Sequence, residues 1–192
     1  MLSLSREAKR RWQHVLSGAA MLALSYRISR YHALWACSIA TSALYYFHQY
    51  HYSVFQTVFG AILRDHERQN LPGAFWFVLG TSCTLACTSY PTAQYALAVL
   101  SVADPVAAWV GQSIPSPRLA PSASLAGCLA CFASALLVGH LLLPQSGPFV
   151  MVLRRTPRLL ASALACTVAE ALGGRYDNWI IPLATGFVYE HV

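Results

Sequence analysis

Charge is what this sequence has least of. Only 10% of its 192 residues are Asp, Glu, Lys or Arg, where a soluble domain carries about 25%. A chain this short cannot absorb the deficit in a larger core, because a small domain must still cover itself with polar surface. Lipid removes that need. Acids are the scarcest class: seven stand against thirteen bases, and Lys9 is the only lysine. The net charge of +6 therefore reflects missing carboxylates. A nucleic-acid surface requires a basic stripe interleaved with aromatics; the sequence has none, so nucleic acid is excluded as a partner. Internal repeats and low-complexity stretches are also absent, and residues 1–192 read as a single transmembrane domain.

What is present is apolar, at 56% of residues. The runs lie at 15–26, 32–47, 73–89, 92–112, 122–143, 157–173 and 179–192. A membrane-spanning helix needs about 20 apolar residues, so the first and last are short. Between the second and third, residues 52–68 place Val54, Phe55, Val58, Phe59, Ile62 and Leu63 at helical spacing, followed by Arg64 to Arg68. That pattern predicts an amphipathic helix that lies along the interface or extends the second span. The predicted fold is thus all-α: a polytopic integral membrane helix bundle of about seven spans.

Bases collect between the runs, as in loops that meet headgroups. On the N-terminal side of seven spans stand Arg6, Lys9, Arg10, Arg11, Arg64, Arg68, Arg118 and Arg175; the other side has Arg27, Arg30, Arg154, Arg155 and Arg158. This bias predicts an N-terminus on the cytoplasmic, matrix or stromal side. The six cysteines sit inside apolar runs, and neither Cys83–Cys87 nor Cys128–Cys131 has a second pair at zinc spacing. Ala161, Ala165, Ala169 and Gly173 recur every fourth residue, a stripe that lets helices approach closely in lipid.

An acid within a span is costly and needs a reason. Asp104 is followed by Pro105, which bends the helix and frees a carbonyl. Glu170 and Asp177 flank Gly173 and Gly174, with Asn178 after them; two acids and an amide around a glycine turn suit a hard cation such as magnesium. His14 follows Arg11 at the inner end of the first span, as an interfacial histidine or a phosphate contact. His48 and His51 share a face without an evident set of metal partners.

Five segments resemble, in order, the family of CTP-dependent lipid kinases, which includes dolichol kinase, phytol kinase and CTP-using diacylglycerol kinases and is related to phosphatidate cytidylyltransferases. They are REAKRRWQHVLSG at 6–18, RDHERQNLPGAFWFVLG at 64–80, LSVADPVAAWVGQ at 100–112, SASLAGCLACF at 122–132 and VAEALGGRYDNWIIPL at 168–183. The resemblance implies Mg²⁺ and CTP at one membrane face, with phosphate passing to a lipid hydroxyl. It implies Asp104 and Asp177 as catalytic acids, and Asp104, Glu170 and Asp177 around the metal. Arg11, His14, Arg68, Arg118, Ser124 and Asn178 would meet the nucleotide. Three positions depart from the pattern. Ala103 replaces the glycine before the motif acid, and Ala123 and Ala126 stand at the lysine and glutamate of the fourth segment. Phosphoryl transfer depends on placed charge, so two alanines there imply a non-catalytic relative. The expectation is a structural membrane subunit of a larger complex in an organelle inner membrane (mitochondrion or plastid) or the endoplasmic reticulum, in contact with membrane lipids and other membrane-protein subunits. The alternative is an active CTP-dependent kinase of a polyprenol, phytol or diacylglycerol.

Overall fold

The computed structural model describes residues 6–61, 63, 67, 70–143 and 149–192, with backbone only at residue 6 and at 149–155. Among them the chain is helical: α1 Arg6–Ser25, α2 Arg30–Tyr50, α3 Tyr52–Phe59, α4 Gly73–Cys87, α5 Tyr90–Ser113, α6 Leu125–Leu142, α7 Phe149–Gly173 and α8 Asp177–His191. A 3-10 turn, Gly174–Tyr176, joins the last two. No strand occurs among the described residues; one isolated bridge pairs Arg118 with Ser124.

Each apolar run of the sequence became a helix, but several ends moved. The basic segment before the first run is itself helical, so α1 starts at Arg6. Pro157 does not open α7; the helix begins at Phe149 and runs through it. The amphipathic segment yields a short helix that stops at Phe59, before Gly60. Phe55 is its buried residue, while Val54 and Val58 are exposed. Much of 60–69, including Arg68, lies outside the described residues.

Among the described residues two helices, α5 and α6, are both long and apolar enough to cross a membrane, with mean hydropathy of 1.3 and 2.1. Helix α4 is apolar but only 15 residues long, or about 22 Å at 1.5 Å per residue. The others are short or carry charge near an end, such as Glu7, Lys9, Arg10 and Arg11 in α1.

The long helices run up and down between two ends. At one end Tyr90 Oη donates to the carbonyls of Ser25 (2.7 Å) and Ile28 (3.1 Å), Arg30 Nε donates to Leu85 O (2.9 Å), and Ser89 Oγ donates to Glu190 (3.0 Å). At the other end Asn178 Nδ2 donates to Gly73 O (3.3 Å) and Ser122 Oγ to Ala171 O (3.3 Å). Helix α5 lies at the centre, with Tyr95, Ala96, Val99, Leu100 and Ala103 wholly buried. Tyr95 Oη meets Ser162 Oγ of α7 at 2.9 Å, so the phenol's polar tip is paired inside the core.

Helix α4 carries two threonines, and a third stands at its C-cap. Thr81, Thr84 and Thr88 each donate to the carbonyl four residues back, at 2.8–2.9 Å, which satisfies the hydroxyls locally. Helices α4 and α8 touch at Gly80: a methyl there would sit 2.7 Å from Asn178 O and 2.9 Å from Trp179 Cα. On α7 the face that packs inward is Ser162, Ala163, Cys166, Ala169 and Gly173; Ala161 and Ala165 are half-buried at its border. Cys131 and Cys166 meet there with sulfurs 3.6 Å apart, and all six cysteines are free. Because the obstacle at Gly80 is backbone, Gly80→Ala is expected to destabilise the detergent-purified chain by about 1–3 kcal/mol, the usual cost of overpacking. Chemical unfolding measures this, and an unchanged midpoint would mean that α4 and α8 do not meet at Gly80.

Candidate functional site

The charged residues singled out in the sequence gather where α1, α4, α6 and α8 begin and α5 and α7 end. Asp104 of α5 faces His14 of α1. His14 Nε2 donates to Leu100 O at 3.1 Å and lies 3.7 Å from Asp104 Oδ2. Its ring also meets Phe77 of α4 edge-on at 4.8 Å between centroids. Gly18, one turn along α1, leaves the gap into which Ser101 fits, so α1 and α5 approach closely beside the pair. His14 therefore ties three helices together.

Glu170 lies within electrostatic reach of both Asp104 and Asp177, and Asp177 within reach of His14. Asp177 opens α8, and its Oδ1 accepts the Asn178 amide at 2.6 Å. The turn before it needs Gly174, at φ +55°, the left-handed region that glycine enters without strain. The three acids of the expected magnesium set are thus at one end of the bundle. They do not converge: among the described residues no three His, Cys, Asp or Glu side chains are placed to hold a metal ion.

The segment before α6 folds as a tight loop. Leu119 N and Ala120 N both donate to Ala123 O (3.0 and 3.2 Å), and Leu125 N donates to Pro117 O (2.9 Å). Arg118 points outward and donates to Pro121 O at 3.1 Å. Ala123 is buried. Ser124 is the N-cap of α6, its Oγ accepting from Gly127 N at 3.2 Å, and Ser116 Oγ accepts from Ala126 N at 3.0 Å. Amides at a helix start are ready-made phosphate donors; here serines of the same loop already occupy two of them.

Other candidates lie on a second feature. Asn178 lines two adjoining cavities of about 250 Å³ each, together with Arg10, Glu67 and Gly73. Arg11 is buried, whereas Arg68 is outside the described residues. Glu67, Arg10, Arg175 and His48 were not picked out from the sequence as belonging to this place. Glu67 is buried at 6% exposure and its Oε1 accepts Gly73 N at 2.9 Å. The signal for it was available: Pro72, at the N-cap of α4, makes no side-chain cap bond, so the first amides needed an acceptor from elsewhere.

The geometry carries no help from relatives. Comparison with protein-family models, curated proteins and solved structures finds no match for this chain.

Removing His14 opens a hole between three helices and takes a hydrogen bond from Leu100. His14→Ala is expected to cost about 2–4 kcal/mol, as a cavity plus a lost buried bond. Unfolding in detergent reads this out, and a loss under about 0.5 kcal/mol would place His14 outside the packed core.

Proposed function

We propose that this chain is a non-catalytic relative of the CTP-dependent lipid kinases, an integral membrane protein that serves as a structural subunit of a larger membrane complex. The observation that carries the proposal is the loop before α6. A nucleotide site there would use its helix amides and a cation on the phosphates. Ser116 and Ser124 fill two of those amides, Arg118 turns to Pro121 O, and Ala123 and Ala126 offer no charge. Asp104, Glu170 and Asp177 remain, and His14 closes on the first of them. In the alternative reading these acids serve an active kinase; the spent loop weighs against it.

The outer faces support the membrane and subunit parts of the reading. Helices α6 and α7 expose aliphatic stripes, Leu129, Leu137 and Leu141 on one and Leu160, Leu164, Val168 and Leu172 on the other. Aliphatic faces of this kind suit lipid tails. Helix α2 instead exposes Tyr31, Trp35, Tyr46 and Tyr50 along its length. Aromatics are enriched at protein interfaces, and α2 is the face we assign to a partner helix. The bias of bases puts the N-terminal end on the cytoplasmic, matrix or stromal side of an organelle membrane.

The purified chain, supplied with magnesium and labelled CTP, is expected to transfer no phosphate above background to dolichol, phytol or diacylglycerol. One charge-stabilising donor is worth about a hundred- to a thousandfold in rate, and this loop lacks both a lysine and a glutamate. Turnover by the unmodified chain would overturn the non-catalytic reading. Activity gained by Ala123→Lys with Ala126→Glu would support it, as a scaffold stripped only of its charges.

A further inference from the structure

Helices α1 and α2 are consecutive and joined only by residues 26–29, yet α1 packs on α5 and α2 on α4 and α3, rather than on one another. One of the two cavities is a cleft between them, with α4 as its third wall. A single face of α1 lines it through Arg10, Gln13, Ser17 and Met21. Opposite stand Leu44 of α2, Phe59 at the end of α3, and Phe77 and Val78 of α4. The lining is open to contact: Ser17 is exposed, and Gln13, Met21, Leu44, Phe59 and Val78 are half-buried. None of Arg118, Ala123, Ser124 or Ala126 borders the cleft, which is therefore separate from the loop before α6.

Polarity falls along that face of α1 in one direction. Measured from Arg10 along the helix axis, Gln13 lies about 4–5 Å, Ser17 about 10 Å and Met21 about 16 Å away. The apolar run of the helix begins at Val15, and Met21 packs against the buried core. The face thus passes from a guanidinium through an amide and a hydroxyl to a thioether. Gln13 and Ser17 make no side-chain hydrogen bond among the described residues. Ser17 does not take the carbonyl four residues back, as the threonines at Thr81, Thr84 and Thr88 do. Arg10 shares its Nε with Glu7 at 3.3 Å, and its two terminal amino groups remain for an anion. The other charged neighbours are engaged: His14 with Leu100 O, and Glu67 with Gly73 N.

Different occupants meet these groups differently. Water pairs Gln13 and Ser17 but leaves Leu44, Phe59, Phe77 and Val78 wet, at a cost that grows with apolar area. A bare alkyl chain covers those four and leaves the amide and the hydroxyl unpaired. Inorganic phosphate or a nucleotide suits Arg10, whose planar fork favours phosphate, and leaves the apolar walls uncovered. A glycerophospholipid presents phosphate, ester carbonyls and acyl carbons in that order. It is the order of Arg10, then Gln13 with Ser17, then Met21.

We infer that the cleft between α1 and α2 is a binding site for a membrane diacylglycerophospholipid. Its phosphate lies at Arg10, its ester carbonyls accept from Gln13 Nε2 and Ser17 Oγ, and its acyl carbons cover Met21, Leu44, Phe77 and Val78. The inference rests on the membrane reading above. The lipid occupies the space that a direct contact between α1 and α2 would otherwise close, so it is part of the packing of these two helices.

The test titrates the full chain in detergent with dioleoyl phosphatidylglycerol, its dialkyl ether counterpart and dioleoylglycerol, and reads bound lipid by native mass spectrometry. The ether lipid lacks the carbonyls, and dioleoylglycerol lacks the phosphate. Wild type is expected to bind the ester phospholipid about tenfold tighter than either. Gln13→Leu with Ser17→Ala should remove the preference for ester over ether, and Arg10→Gln the preference over dioleoylglycerol. Ser17→Trp, which fills the cleft, should weaken all three lipids by about tenfold or more. Leu137→Trp, on the exposed face of α6, should change none of them. Equal binding of the ester and ether lipids by wild type would overturn the site, as would an ester preference that survives Gln13→Leu with Ser17→Ala. Equal losses from Leu137→Trp and Ser17→Trp would reduce the binding to general lipid coating and also reject the site. A chain that inserts into vesicles but holds no phospholipid would sink the site and leave the membrane reading standing.

Discussion

Close approach of helix backbones is the constraint on which this bundle depends. Where the surroundings of a helix are as apolar as its neighbours, burial gives little, and stability comes from contact and from satisfied polar groups. The chain meets this with glycine at the crossings. Gly80 seats α4 on the start of α8, Gly127 faces Ala107 and Gly111 of α5, and Gly186 accommodates Thr84 and Ala96. At each of these points a methyl would stand within 3.0 Å of another helix's atoms. The central position of α5, and with it the placement of Asp104, follows from those contacts.

Polar groups are then confined to the ends or paired within the core. Thr81, Thr84 and Thr88 bond their own helix, Tyr95 finds Ser162, and His14 finds Leu100. Against that background, Asn178 Oδ1 and His48 Nε2 stand out as buried atoms without a partner. The end of the bundle thus holds two separate features. One is an acid cluster beside a loop whose amides and arginine are already engaged. The other is a pair of adjoining cavities that share Arg10, Glu67, Gly73 and Asn178.

Much of this was legible in the sequence, and the rest was not for physical reasons. Apolar runs marked every long helix, because lipid-like composition and helical length are properties of a local window. Their ends were less legible. Pro157 reads as a helix start, yet the helix passes through it, and the basic residues before position 15 join α1. Asp104 drew notice as an acid inside an apolar run, but its neighbour His14 is 90 positions away, a relation no local pattern contains. Ser124, read as a nucleotide contact, is the N-cap of α6; both roles ask for a hydroxyl at a helix start. Asn178, expected at a metal–nucleotide site, borders a cavity with Glu67 and Arg10, a grouping that spans more than 160 positions of the chain and that no local pattern contains.

The claim beneath all of this is that the up-and-down helices cross a membrane and that the acid cluster and the cavity share one side of it. Cysteine labelling addresses it directly. In a background without the six native cysteines, Arg27→Cys and Ser113→Cys each place one thiol at an exposed position, at opposite ends of the bundle. In sealed vesicles a membrane-impermeant maleimide should reach one of them from outside and the other only after the vesicles are opened. Labelling of both from the same side would contradict the membrane-spanning bundle.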